Sequence, residues 1–539
     1  MDIGHAAKPV HEDRISKLDD AVLGHVLSFL PSKQAARAAA LSSRWRDAFA
    51  GVHTVSLEEP EGGVPPYQQR CRRGSDDDDD RRRDPPSRFG AAITAAIVAR
   101  HRSPAATPPL RALRVALHDY KYRDSVAVDQ WVYYALKQAG PELEVDLRLR
   151  FLPIYCSRDD DDHDDDESEH ERVPGRSRLL LYGDALLLYT VPRRLFSCSA
   201  LRTLRIGPCR LSPPSGISLP SLEELLLTRV SDGEEEVQRL ISACPLLTDL
   251  TLESCDRVTA LSLLDTRLRR LAVRCCHNLS RVTVDVSELG VFDYRGAVPE
   301  MPFLTTFRPT CWFLAMPSLA SCTVDICGGE VSAKEELSRL TAFLHQLVCA
   351  KHLRLRSKRL FPGIGVEDTT LPLFTNLHHL EFWGHLPQYG DTAAVVGAMS
   401  QILRHAPNLE VLSFVFETGT WGEIEDDGPL PRGRYSCKDE ELVEAHRLRY
   451  NRYSVLDDAP SGGGGATIPC LANRVREINL VHYQGGAAER KLARFLLCNA
   501  PVIDELWCQF AEGPLWIHTE LMREMKSWVM NDKANTVFQ

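Results

Sequence analysis

No run in these 539 residues is long and apolar enough to suggest a membrane span; the nearest, "LLLYGDALLLYTV", is short and carries Asp184. The opening "MDIGHAAKPVHEDR" lacks a basic head followed by an apolar core, so no secretory leader is expected. There is no CxxC pair, Walker loop, complete GxGxxG, GxSxG elbow or HExxH. "GIGVED" at 363 begins like a dinucleotide loop but has no third glycine. Together these absences predict a soluble protein of the cytoplasm and/or nucleus that is not an enzyme: no catalytic residues, no metal ligands, no cofactors, no membrane partner. A net charge of −10 argues against general nucleic-acid affinity. The 16 cysteines of such an intracellular chain read as reduced thiols.

What is present is a folded, segmented chain, 44% hydrophobic and 26% charged. "RCRRGSDDDDDRRRDPPSR" and "SRDDDDHDDDESEHER" hold too few apolar residues to bury, and read as solvated insertions. His163 and His170 in the second run sit among carboxylates, but a charged surface loop is the plainer reading. "APSGGGGATIP" marks a flexible connector.

Between these breaks the chain repeats itself. Apolar residues recur at positions one, four and six in "LRTLRI" (201), "LEELLL" (222), "LTDLTL" (247) and "LRRLAV" (268). Weaker copies begin at 289, 319, 350, 377 and 409, with an earlier one at 110. The period resembles the leucine-rich repeat, a strand plus an irregular or helical return. Residues two apart on a strand share a face, so positions four and six enter one core, which neighbouring units must close by stacking. Cys209, Cys255, Cys276 and Cys327 each fall three residues past position six, where a small side chain suits an interior turn. Adjacent Cys275 and Cys276 with His277 read as packing rather than a zinc site, because no second ligand pair stands at the required spacing.

"DRISKLDDAVLGHVLSFLPSKQAARAAALSSRWRDAF" crowds Leu18, Val22, Leu23, Val26, Leu27, Phe29, Leu30, Leu41, Trp45 and Phe49 into a short helical hairpin. Asp19 or Asp20 and Ser42 are candidate helix caps, and Pro31 a stop. A unit this small is marginal alone. The stretch resembles an F-box, especially the plant form, with Asp19 where the family usually has proline. "NRVREINLVHYQGGAAERKLARFLLCNAPVIDELWCQF" resembles the FBD module that ends many plant F-box/leucine-rich-repeat proteins.

The resemblance implies an α/β solenoid: an irregular leucine-rich-repeat array with a parallel sheet, preceded by a small three-helix F-box domain. The expected divisions are a flexible tail 1–12, F-box 13–51, charged linker 52–109, repeats 110–416 with an acidic insertion near 157–176, a polar and Gly-rich insertion 417–470, and an FBD-like unit 471–539. The implied function is the non-catalytic substrate-recognition subunit of a Skp-cullin-F-box E3 ubiquitin ligase. Its partners would be a Skp-type adaptor, through it a cullin, and a protein target. Leu18, Val22, Leu23, Val26, Leu27, Leu30 and Pro31 are the expected adaptor contacts. Arg205, Arg270, Arg274, Arg354, Arg356 and Trp383 are expected on the target-binding strand face, the arginines as receivers of an acidic or phosphorylated segment. The alternative is an interaction scaffold or ligand sensor that assembles no ligase.

Overall fold

Alternating apolar residues place one side of each strand inside and leave the other to solvent, and that rule builds most of this protein. The computed structural model describes residues 17–30, 32–59, 88–100, 108–117, 120, 122–149, 188–264, 267–284, 288–300, 303–305, 318–327, 334–359, 371–386, 392–416, 468–511 and 515–539. Pro31, the tail 1–12, the acidic insertion 157–176 and most of the insertion 417–470 lie outside the described residues. These residues fall into two compact units, the first ending at Leu247 and the second beginning at Thr248.

The first unit starts with helices α1 (Asp20–Leu27), α2 (Ser32–Ala39) and α3 (Ser43–Ala50). Asp19 caps α1, its carboxylate accepting from the Val22 amide at 2.7 Å. The Ser42 hydroxyl accepts from the Trp45 amide at the start of α3, and Gly51 closes that helix. Leu23, Leu27, Ala35, Ala48, Phe49 and Val52 form the internal core, with Trp45 packed against it. The helices approach closely at Gly24, where an added Cβ would stand 2.8 Å from the Gly51 backbone.

The stretch expected as a linker, 52–109, supplies two regular elements, strand β1 (Thr54–Glu58) and helix α4 (Arg88–Arg100). Both fasten the helical module to its own unit. The Ser28 hydroxyl accepts from the His53 amide at 2.9 Å and the Ser32 hydroxyl from Ser56 at 2.8 Å. Arg100, 1% exposed, donates to the Val52 carbonyl and the Tyr134 hydroxyl, each at 2.7 Å, and to the Pro108 carbonyl. A buried guanidinium is tolerable because these acceptors replace water.

Strand β1 then pairs in parallel with β2 (Leu110–Leu117), and the sheet continues through β3 (Ala139–Leu149), β5 (Leu201–Gly207) and β7 (Glu224–Thr228). Short β4 (Tyr189–Thr190) and β6 (Cys209–Arg210) pair beside it. Helix α5 (Ser125–Lys137) is a return segment whose Val128, Trp131, Val132 and Ala135 are buried.

In the second unit the parallel order is β8 (Asp249–Glu253), β10 (Arg270–Arg274), β12 (Val291–Gly296), β14 (Ser321–Ile326), β15 (His352–Arg359), β16 (His379–His385), β17 (Val411–Phe416), β18 (Glu477–Tyr483), β19 (Glu505–Phe510) and β20 (Asn535–Phe538). Short β9 (Ala260–Leu263), β11 (Arg281–Val284) and β13 (Leu304–Thr305) make a second ladder from the return segments. Register stacks the inward residues in rows: Leu250, Leu271, Phe292, Cys322, Leu353 and Leu380 lie side by side on successive strands, all buried. Helices Lys334–His345, Thr392–Arg404 and Ala487–Cys498 cover later returns.

The cysteines pack where the strands turn. Ser254 and Cys275 adopt left-handed φ values of 50° and 51°, turning the chain so that Cys255 and Cys276 point inward. The Cys276 sulfur accepts from the Cys255 amide at 3.4 Å. Its thiol pKa is held well above the usual range by the hydrogen bond to the Cys255 side chain and by burial. The segment read as FBD-like supplies β18, helix Ala487–Cys498 and β19. Helix Leu515–Trp528 and β20 follow, with buried Arg490 fixed to Glu524 at 2.9 Å.

Arg100→Ala leaves three acceptors short of a charged donor, and the expected cost is about 3 kcal/mol of unfolding free energy. Urea denaturation of the full chain checks it, and a variant as stable as the parent contradicts the fastening role.

Candidate functional site

Helical periodicity puts Leu23 and Leu27 on one stripe of α1 and Val22 and Val26 on the adjoining stripe. The close packing at Gly24 and Gly51 selects which stripe goes inside. Leu23 and Leu27 are each 1% exposed. Both belong to the module's internal core, unlike the other described adaptor contacts expected from the sequence. Leu18, Val22, Val26 and Leu30 stand 37–43% exposed on the other side. Phe29 and Leu41, which sequence reasoning did not select, are 76% and 79% exposed. Both lie just outside the helices, in the two turns, so helical spacing alone did not single them out. Pro31 is outside the described residues. Arg44 donates to Asp20 at 3.1 Å and to the Leu18 carbonyl, tying the start of α1 to α3.

A folded module that keeps six large apolar groups in contact with water is an incomplete core. Patches of this kind on a soluble domain mark an association surface.

The second candidate surface is the outward face of the strands. Arg205 stands on β5 of the first unit, and the hydrogen bond it donates to Glu224 at 2.7 Å holds its guanidinium pKa above the usual value. In the second unit Arg270 and Arg274 share the outward face of β10, and Arg354 and Arg356 that of β15. Arg274 donates to Glu253 at 2.9 Å and to Asp293 at 3.2 Å. Arg354 donates to Glu381 at 3.0 Å, and Arg356 lies 3.8 Å from Asp325, which also faces Arg295. Trp383 is half-buried on this face, with both Arg354 and Arg356 5.5 Å from its ring centre and its indole N–H donated to Glu381. Arg205, Arg274, Arg354 and Arg356, expected to receive an acidic target, are thus already paired within the chain. Their cross-strand neighbours already supply the carboxylates. Arg270 has no such partner among the described residues and is exposed.

An apolar pocket lined by Leu344, Leu353, Phe374, Leu380, Ile402 and His405 lies on the core side of β15 and β16 rather than on the outward face. Among the described residues no helix is long and apolar enough to cross a membrane.

These features define a class: a small three-helix module with an exposed apolar side, followed by stacked strand-and-return units. Comparison with known proteins agrees. The F-box domain model matches residues 15–54, and the model described as At1g61320/AtMIF1, LRR domain matches residues 184–357. A relative named as an F-box/FBD/LRR-repeat protein of Arabidopsis thaliana is 24% identical over 413 residues, 75% of this chain and 78% of its own. An F-box/LRR-repeat protein of the same plant is 26% identical over 436 residues, with the same shares. The chain is thus similar to plant F-box/leucine-rich-repeat proteins at both its helical module and its stacked strands.

Asp146 on β3 makes the electrostatics of the first unit's face testable. It is almost fully buried, and burial raises its carboxyl pKa against the opposing pull of Arg148 and Arg205. A raised folded-state pKa means that the folded chain holds this proton more tightly than the unfolded chain. The favourable contribution is complete below the ordinary value of 3.8 and is lost as pH rises through the folded pKa. Asp146→Asn escapes that loss, and Arg148 keeps Glu58 at 2.6 Å. The expected result is an unfolding midpoint above the parent's at pH 7, with the difference vanishing near pH 3. Equal midpoints at both pH values contradict it.

Proposed function

We propose that this chain is the non-catalytic substrate-recognition subunit of a Skp-cullin-F-box E3 ubiquitin ligase. Its helical module docks on a Skp-type adaptor, and through it a cullin, while the strand face of the repeats holds a protein target. The observation that carries this reading is the division of α1 into a buried stripe, Leu23 and Leu27, and an exposed stripe, Val22 and Val26, flanked by exposed Leu18, Phe29, Leu30 and Leu41. Burying a side chain of that size is worth roughly 1.5–3 kcal/mol, so a partner covering several of them gains a stable interface. The F-box match over the same residues supports this reading.

In such an assembly the nucleophilic chemistry belongs to other subunits, which carry ubiquitin as a thioester. This chain contributes proximity. Holding adaptor and target together raises the effective concentration of a target lysine at the ubiquitin thioester, and no bond need form or break on the receptor.

Val22→Asp combined with Val26→Asp places two carboxylates in the docking face and none in the core. Adaptor capture by the full chain is expected to weaken roughly hundredfold or more, with cullin lost alongside and helical content unchanged. The equivalent change at Leu23 and Leu27 disrupts the module itself and tests only folding. Undiminished capture by the Val22/Val26 variant, or a parent chain that retains adaptor but never cullin, overturns the ligase reading in favour of a scaffold.

A further inference from the structure

The outward face of the second unit's sheet changes character along its length. From β8 to β15 its basic groups are largely matched, Arg274 by Glu253 and Asp293, Arg295 and Arg356 by Asp325, and Arg354 by Glu381. From β16 to β19 the outward positions carry no lysine or arginine. Apolar groups take their place. Trp383 is in register with Val415 and Val415 with Val481, while Trp507 lies opposite Asn479 on the next strand. Trp383 is held as one margin of this patch by the two arginines beside its ring and by its hydrogen bond to Glu381.

Beside the patch stand two carboxylates. Glu477 and Glu505 are directly opposite each other on β18 and β19, and both are half-buried. The Asn479 amide donates to Glu477 at 2.6 Å. The Glu505 side chain has no hydrogen-bond or ion-pair partner among the described residues. Like charges opposite one another weaken strand pairing, and a cation placed over both relieves the repulsion. Elsewhere on this face the strands supply most such counter-charges themselves; here, among the described residues, no lysine or arginine pairs with either carboxylate, and only the His379 imidazole interacts electrostatically with Glu477.

We infer that this part of the face reads the target, and that it takes a segment of a partner protein in which lysine or arginine sits beside an aliphatic or aromatic residue. The basic group lies over Glu477 and Glu505, and its apolar neighbour packs on half-buried Trp507 and Val481, with buried Val415 beneath them. Charge complementarity fixes the sign of the partner, and the indole supplies the anchoring area that interface centres favour. This inference rests on the receptor reading given above and reverses the charge that the arginine positions alone suggested for the target.

The test uses the full chain bound to its Skp-type adaptor and three fluorescent dodecapeptides of one leucine- and phenylalanine-containing frame, carrying arginine, glutamate or serine at the remaining positions. Anisotropy titration is expected to give the arginine peptide about tenfold tighter binding than the other two. Glu477→Gln with Glu505→Gln should bring it down to the serine peptide. Glu477→Lys with Glu505→Lys should transfer the preference to the glutamate peptide, and Trp507→Ala should weaken the arginine and serine peptides alike. Arg270→Ala should change nothing. No preference for the arginine peptide, or a preference that survives the double glutamine change, overturns the inference. So does a preference that emerges only after residues 446–453, "HRLRYNRY", are replaced by glycine and serine, since the occupant is then the chain's own segment. Adaptor capture is scored on the same samples. Intact capture without peptide preference sinks this inference alone; lost capture with peptide preference retained sinks the receptor reading and leaves the site standing.

Discussion

Parallel register is the constraint on which the rest depends. Each strand carries inward residues that it cannot bury alone, and Leu250, Leu271 and Phe292 are dry only because each has the next strand's equivalent beside it. The turns after β8 and β10 preserve that register by adopting a left-handed residue and then tucking in a cysteine. Stability is consequently shared between neighbours and the outward positions are left free to differ, as in other stacked-repeat architectures.

Two kinds of leftover surface follow, and they differ in energetic weight. On most strands the outward charges are satisfied across the sheet, and exposed pairs of this sort contribute only about 0–1 kcal/mol each. They keep the face soluble and specific without making it adhesive. On the helical module the leftover is apolar, where each buried group is worth roughly 1.5–3 kcal/mol. Arg100 and the hydroxyls of Ser28 and Ser32 fasten one side of this module to its own unit, while Val22, Val26, Phe29 and Leu41 are left to water. The asymmetry gives the chain a fixed side and an adhesive side.

Much of this was legible in the residues and some was not, for physical reasons. The repeats could be read because leucine at positions one, four and six reports the strand directly; the copies at 201, 222, 247 and 268 begin at or just before β5, β7, β8 and β10. Strand β3 escaped because its register against β5 shifts after Leu143, so Leu143 opposite Leu201 precedes Val145 opposite Leu204 by two residues instead of three and breaks the spacing, although Val145, Leu147 and Leu149 are fully buried. Strand β1 and helix α4 were hidden by the charged run between them. Both stripes of α1 are apolar, so the sequence could not choose between Val22/Val26 and Leu23/Leu27; the contact of Gly24 with Gly51 makes the choice. The arginine pairings depend on cross-strand register, which sets Arg354 beside Glu381 across 27 positions of chain. The same dependence concealed the juxtaposition of Glu477 and Glu505.

The central claim is that the module's exposed apolar side is half of an intermolecular core. Amide hydrogen exchange of the full chain with and without purified Skp-type adaptor measures this without altering a residue. Slowed exchange confined to α1, the turn that follows it and the Leu41 turn, with the strands of both units unaffected, is the expected result. Exchange in those segments that is indifferent to saturating adaptor, or protection that appears only in the repeat strands, contradicts the claim.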